Sequence, residues 1–134
     1  MKKTTFVNVS LSAMQRVRWE EFAIHLDDWP YLLHEAALMG LKVSFKYDVE
    51  REGWGVYITD LLKGSVNEGC TLSCWGGSLE NAVQDVSIYF NFGRDQGVAW
   101  SKVKDAFLKE EREDIENYRE YLIQKGSLKK DNGG

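Results

Sequence analysis

The chain has 134 residues, of which 43% are hydrophobic and 13% aromatic, and its formal net charge is −4. A chain of this length and apolar content can bury a hydrophobic core. The sequence has no apolar run of about eighteen residues, the length that a membrane span needs, and its start turns polar too early for a secretory signal. An acidic surface disfavours direct binding of nucleic acid. We therefore expect a cytoplasmic protein without a membrane partner.

The N-terminal part contains one clear strand pattern and one ambiguous segment. Apolar and polar residues alternate from Thr5 to Leu11, which predicts a strand. Residues 12–27 fit either a helix capped by Ser12 or a further strand, and both alternatives stay open. From Asp28 to Gly40 the spacing predicts a short helix, with Asp28 as its cap and Gly40 as its stop.

The stretch from residue 41 to residue 92 has the most regular pattern in the chain. Strict alternation predicts a strand from Leu41 to Val49, and a polar turn follows that ends in Gly53, a residue suited to a positive φ. Two further strands are predicted from Trp54 to Asp60 and from Gly69 to Trp75. Together they form an antiparallel meander.

A helix follows the meander. Ser78 is placed to cap it, apolar residues then recur at helical spacing, and Gly93 is placed to end it. Residues 77–83, Gly-Ser-Leu-Glu-Asn-Ala-Val, resemble the Gly-x-[ST]-x-x-Glu-Ala segment of HicB-like antitoxins, although the family's glutamate is Asn81 here. The resemblance covers residues 41–92 and implies the same order of three strands and a helix. In its size, acidity and tryptophan content the chain is also similar to small accessory proteins of bacteriophages, which implies a role against a protein of the bacterial host.

The C-terminal part is predicted to be one long helix from about Val98 to Lys125. Glu111 interrupts its apolar stripe, so the helix either leaves the domain or meets a basic partner there, or it is kinked; these alternatives stay open. We predict one α+β domain over residues 1–125 and a disordered tail over residues 126–134. The expected architecture is an antiparallel meander of three or four strands, with helices packed on one face and a long C-terminal helix.

The sequence contains no motif that indicates an enzyme. Cys70 and Cys74 lie on the same side of a predicted strand but about 13 Å apart, too far for a disulfide, so we expect free thiols. His25 and His34 are distant from both cysteines. Nucleophile, phosphate-loop and zinc motifs are missing from the sequence. We expect a protein that is not an enzyme and holds neither a cofactor nor a metal.

The leading hypothesis is an inhibitor that binds a host protein, and a protein that itself binds nucleic acid is one candidate for this partner. Exposed tryptophans are common interface anchors, and carboxylates spaced along a helix can occupy the phosphate site of a nucleic-acid-binding protein. The candidate partner-binding residues combine the two kinds of side chain: Trp54, Trp75, Glu110, Glu113, Asp114 and Glu116.

Two other hypotheses compete with the inhibitor. A protein that sequesters a nucleotide signal, as a monomer or a homo-oligomer, could sandwich a purine between Phe92 and Arg94 and read it with Asn91 and Asp95. Alternatively, stacked tryptophans could bind single-stranded nucleic acid. The net charge disfavours this last hypothesis.

Overall fold

The computed structural model describes residues 5–129 of the chain. It divides into two compact units, a first that ends at Lys104 and a second that begins at Asp105. The prediction of a single domain over residues 1–125 stays a prediction.

The first unit is built on a four-stranded mixed sheet. Its strands are β1 (Thr5–Val9), β2 (Leu41–Asp48), β3 (Gly53–Asp60) and β4 (Cys70–Gly76), in the spatial order β1-β4-β3-β2. The predicted antiparallel meander is confirmed for the last three strands. The first strand lies beside β4 in a parallel pair, an arrangement that local patterning does not specify.

Helices cover one face of the sheet, as predicted. They are α2 (Trp29–Leu38) and α3 (Leu79–Gln96), while a further helix, α1 (Ala13–Arg18), is joined to α3 by an ion pair. Helix α3 packs on β3 and β4, and α2 packs on β2, where Trp29 meets Phe45 edge to face at 5.7 Å. This covered face supplies the core side chains Val56, Ile58, Leu72 and Cys74. The opposite face, which we call the open face, carries the alternate side chains of the same strands.

The ambiguous segment after β1 is a helix rather than a strand. Ser12 caps α1 through a capping box with Gln15, which is the helical alternative for this segment. Two 3-10 turns, Glu20–Phe22 and Leu26–Asp28, then lead into α2. Asp28 precedes α2 as predicted, but its side chain makes no capping hydrogen bond because its backbone is already helical.

Two predicted roles of glycine are wrong. The positive φ in the β2–β3 turn belongs to Glu52, at 52°, while Gly53 lies in β3. Helix α3 continues beyond Gly93 to Gln96, and Gly97 ends it with a left-handed conformation. Gly93 serves close packing instead, since a β-carbon there would lie 3.2 Å from Val103 Cγ2.

The C-terminal helix α4 spans Trp100–Gln124 without interruption, close to the predicted bounds. After it, Gly126 adopts a positive φ of 78°, and the amide of Ser127 donates a hydrogen bond to the carbonyl of Leu122. Residues 130–134 of the predicted disordered tail lie outside the described residues. Within residues 5–129, every helix is too short or too polar to cross a lipid bilayer.

Candidate binding sites

The two tryptophans predicted as interface anchors lie on opposite faces of the sheet. In the β3–β4 register Trp54 is opposite Gly76, whereas Trp75 is opposite Gly55. Trp54 therefore lies on the covered face, at the edge where it packs against Tyr47 with ring centroids 5.3 Å apart. Trp75 lies on the open face. Both are half-buried, while Trp19, Trp29 and Trp100 are buried.

Trp75 contacts a glycine and an arginine. A β-carbon on Gly53 would lie 2.2 Å from Cζ2 of the indole, so the ring lies directly over the Gly53 backbone. The Arg51 guanidinium lies over the same ring, 4.7 Å from its centroid, as a cation–π pair. Two neighbours thus hold the indole on the open face.

The predicted acidic residues belong to the second unit. Glu110, Glu113, Asp114 and Glu116 are all exposed along α4. Ile115 and Tyr118 of the same helix are also exposed, so this stretch presents carboxylates next to apolar side chains. Because these side chains already face solvent, they can contact a partner without any change in the packing of buried residues.

The four residues proposed to hold a purine do not converge. Phe92 is only 1% exposed, with its ring edge-to-face against Phe22, and the Asn91 amide donates a 2.6 Å hydrogen bond to the Phe22 carbonyl. Arg94 and Asp95 remain outside as a loose ion pair with 3.7 Å between Nε and Oδ1. The predicted sandwich of Phe92 and Arg94 is absent because residues two apart on a helix point in different directions.

Arg94 instead borders a large groove of the first unit. The groove has a volume of about 320 Å³ and lies between the end of α2, the end of α3 and the loop that joins β3 to β4. Arg94 also lies near the ring of Phe90, 5.9 Å from its centroid, as residues four apart on a helix should. We call this site the Arg94 groove.

The β3–β4 loop that forms one wall of the groove is organised by Asp60. This buried carboxylate accepts hydrogen bonds from the Leu62 amide at 2.9 Å and from the Ser65 hydroxyl. Asn67 extends the network, because its side-chain oxygen accepts the Trp100 amide at 2.8 Å. The loop is therefore tied to the sheet and to the start of α4, and the groove keeps its wall in the absence of a ligand.

Apolar side chains border the Arg94 groove and face solvent. Met39, Leu62 and Val66 line it, and Val66 is 82% exposed. Leu38 and Leu61, their chain neighbours, are also exposed, and the Leu61 amide donates to the Gly40 carbonyl at 2.9 Å, which joins the two segments. Contiguous exposed apolar surface of this kind marks interaction sites in soluble proteins.

A second, smaller cavity of about 110 Å³ lies on the open face. Its floor is Gly55, which lies between Lys46 and Trp75 in the strand register. Any side chain at residue 55 would fill it, since a β-carbon there would lie 2.7 Å from the Tyr57 hydroxyl. Polar groups of several strands line the cavity: Asn8, Lys46, Asp48, Tyr57 and Ser73.

The ion pair of Arg16 and Asp85 in the first unit is structural. Asp85 of α3 is 1% exposed and accepts two hydrogen bonds from Arg16 of α1, at 2.6 Å and 3.2 Å. The hydrogen bond to Asp85 raises the pKa of Arg16 above its ordinary value. Burial, and after it the Asp85 carboxylate, raises the pKa of the Cys74 thiol. Both effects keep these groups in one protonation state, which suits an anchor for α1.

Neither the Arg94 groove nor the small cavity on the open face was predicted from the sequence. One signal for the groove was available: Leu61, Leu62 and Val66 are apolar residues within a segment rich in turn formers, where burial is uncommon. The cavity gave no such signal, because it depends on which residues face each other across three strands.

Comparisons with protein-family models, with curated proteins and with solved structures found no match for this chain. The resemblance to HicB-like antitoxins and to phage accessory proteins therefore stays a prediction, and function has to be argued from the geometry alone.

Proposed function

We propose that this chain is a non-enzymatic binding protein that holds a segment of a protein partner in the Arg94 groove. The observation that carries the proposal is the exposed apolar border of this groove, formed by Met39, Leu62 and Val66. Exposed apolar side chains around a preformed groove are better suited to a partner's side chains than to water.

The chemistry of the groove defines the segment that it would accept. Methionine adapts its shape to different apolar side chains, so Met39 and Leu62 suit a bulky aliphatic or aromatic residue. Arg94 at the border offers a half-exposed guanidinium, whose one ion pair within the described residues is the loose pair with Asp95. A partner segment with an apolar residue close to a carboxylate complements both features.

The prediction of a bacterial host protein as the partner rests on the resemblance to phage accessory proteins. Exposure of Glu110, Glu113, Asp114 and Glu116 on α4 supports a second contact, in which these carboxylates occupy a basic surface of the partner. An inhibitor of this kind would act in the bacterial cytoplasm.

A paired substitution tests the groove. Val66→Asp places a charge in the apolar border, and Val49→Asp makes the same change at an equally exposed residue of the β2–β3 turn, with exposures of 82% and 77%. We expect Val66→Asp to abolish recovery of the host protein that co-purifies with the chain, and Val49→Asp to leave it unchanged. Equal recovery in both variants would reject the groove as the docking site.

A nucleotide ligand is the second candidate, favoured by one observation. Arg94 lies near an aromatic ring within a groove of about 320 Å³, a volume in the range of small-ligand sites. For this function Arg94→Ala should remove a bound nucleotide, while Val66→Asp should have a smaller effect.

A further inference from the structure

We propose that the open face of the sheet binds single-stranded nucleic acid, independently of the Arg94 groove. The net charge of the whole chain disfavours this ligand, but the charges are unevenly placed. The charged residues at open-face strand positions are Lys42, Lys46 and Asp48. The β2–β3 turn adds Glu50, Arg51 and Glu52, of which Arg51 lies over Trp75. Asp48 already accepts the Arg51 amide at 3.1 Å.

Three aromatic side chains lie on three adjacent strands of the open face. Phe6 of β1 is 65% exposed, and Tyr57 of β3 and Trp75 of β4 are half-buried. In the register Phe6 is opposite Thr71, and Tyr57 is opposite Ser73, so small side chains separate the rings. Unpaired bases stack on aromatic side chains of open sheets in this way.

The rings have different roles because their surroundings differ. The Trp75 indole already contacts Gly53 and the Arg51 guanidinium, so this ring positions the guanidinium for a phosphate. Phe6 is 65% exposed and can stack a base directly. Aromatic stacking combined with cations along the backbone path is the usual basis of sequence-tolerant binding to single strands.

The cavity over Gly55 supplies polar groups beside these rings. Within residues 5–129 the side chains of Asn8, Lys46 and Ser73 make no hydrogen bond or ion pair with another protein group. These three side chains line one cavity and present an amide, an ammonium and a hydroxyl. Such groups can bind the polar edge of a base and a phosphate. A four-stranded sheet is too broad to enter the groove of a duplex. The open face is therefore suited to single-stranded nucleic acid.

The test is fluorescence anisotropy of the full chain with fluorescein-labelled oligothymidylate and oligouridylate twelve-mers at low salt. We expect binding whose affinity falls steeply as salt increases. Phe6→Ala should weaken it about ten-fold, because it removes one stacking contact. Lys46→Ala should weaken it and reduce the salt slope by about one. Tyr31→Ala and Lys102→Ala, which change exposed residues outside the open face, should leave it unchanged.

The possible results distinguish oligonucleotide binding on the open face from binding in the Arg94 groove and from binding of a single nucleotide. Val66→Asp, which tests the groove, should not alter oligonucleotide affinity. The inference is overturned by an absence of binding at low salt, by a flat salt dependence, or by affinities that Phe6→Ala and Lys46→Ala do not change. Equal affinity for thymidine monophosphate and for the twelve-mer would also overturn it, in favour of a site for a single nucleotide.

Discussion

The indole of Trp75 lies on the backbone of Gly53, and no side chain larger than hydrogen fits beneath it. A β-carbon on residue 53 would lie 2.2 Å from Cζ2 and 2.6 Å from Nε1 of the ring. The ring replaces the side chain that the glycine lacks, and it shields that part of the strand from water. This contact fixes the position of Trp75, and with it the position of Arg51.

Gly53→Ala should lower the free energy of unfolding by about 1–3 kcal/mol, because the new methyl group displaces the indole. Chemical denaturation followed by tryptophan fluorescence measures the change. Gly77→Ala is the control, since a β-carbon there meets no atom within 4 Å. Adding Trp75→Ala to Gly53→Ala should recover part of the loss of the single glycine variant. An equal stability of Gly53→Ala and the unmodified chain would contradict the contact.

The ion pair of Arg16 and Asp85 gives a second prediction. Arg16→Met leaves a carboxylate that is 1% exposed without its cation and should lower the free energy of unfolding by about 3–5 kcal/mol. Lys102→Met removes an exposed cation and should change stability by less than about 0.5 kcal/mol. Replacing both partners, as Arg16→Met with Asp85→Leu, should restore stability relative to Arg16→Met alone. Additive losses in the double variant would show that the two side chains are not coupled.

The raised pKa of the Cys74 thiol predicts a dependence of stability on pH. In the unfolded chain a thiol ionises near pH 8.5, whereas burial keeps the folded Cys74 thiol neutral. Its contribution to stability is therefore complete below pH 8.5 and is lost as the pH rises above that value. The free energy of unfolding, measured under reducing conditions, should fall by up to about 1.4 kcal/mol for each pH unit above it.

Two cysteine variants isolate this effect from the other groups that titrate at high pH. Cys74→Ala should be less stable than the unmodified chain at neutral pH but should show a smaller slope above pH 8.5. Cys70→Ala keeps the buried thiol and should retain the full slope. Identical slopes in all three proteins would show that the Cys74 thiol does not determine the dependence.

Reversal of the acidic stretch tests the proposed contact of α4. Changing Glu110, Glu113, Asp114 and Glu116 to lysine should abolish recovery of the host protein with the chain, and circular dichroism should show an unchanged helix content. The matched control reverses four exposed acidic residues of the first unit, Glu20, Glu21, Asp27 and Asp28. If recovery falls equally in both variants, the effect reflects net charge rather than a surface on α4.

Most of the fold could be predicted because its signals are local. The alternation from Leu41 and the cap at Ser78 depend only on neighbouring residues, and both are confirmed. The role of Gly53 could not be predicted in this way, because it depends on Trp75, a residue of another strand. Likewise, nothing near Gly93 in sequence shows that it packs against Val103 and leaves the helix end to Gly97.

The candidate sites were harder to predict than the fold, for a physical reason. Arg94 was predicted to hold a purine together with Phe92, but its aromatic neighbour is Phe90, one helical turn away. Trp54 and Trp75 were both predicted to contact the partner, but the strand register places them on opposite faces. A site combines side chains that are distant in sequence, and the register that brings them together becomes known only with the fold.

The most direct test of the proposed function is native mass spectrometry of the chain purified from bacterial cells, with Val66→Asp and Val49→Asp purified in parallel. We predict a complex of the chain with a host protein, without a bound nucleotide, that persists in Val49→Asp and is lost in Val66→Asp. A retained mass of nucleotide size on the unmodified chain, or a host-protein complex that survives Val66→Asp unchanged, would contradict the proposal.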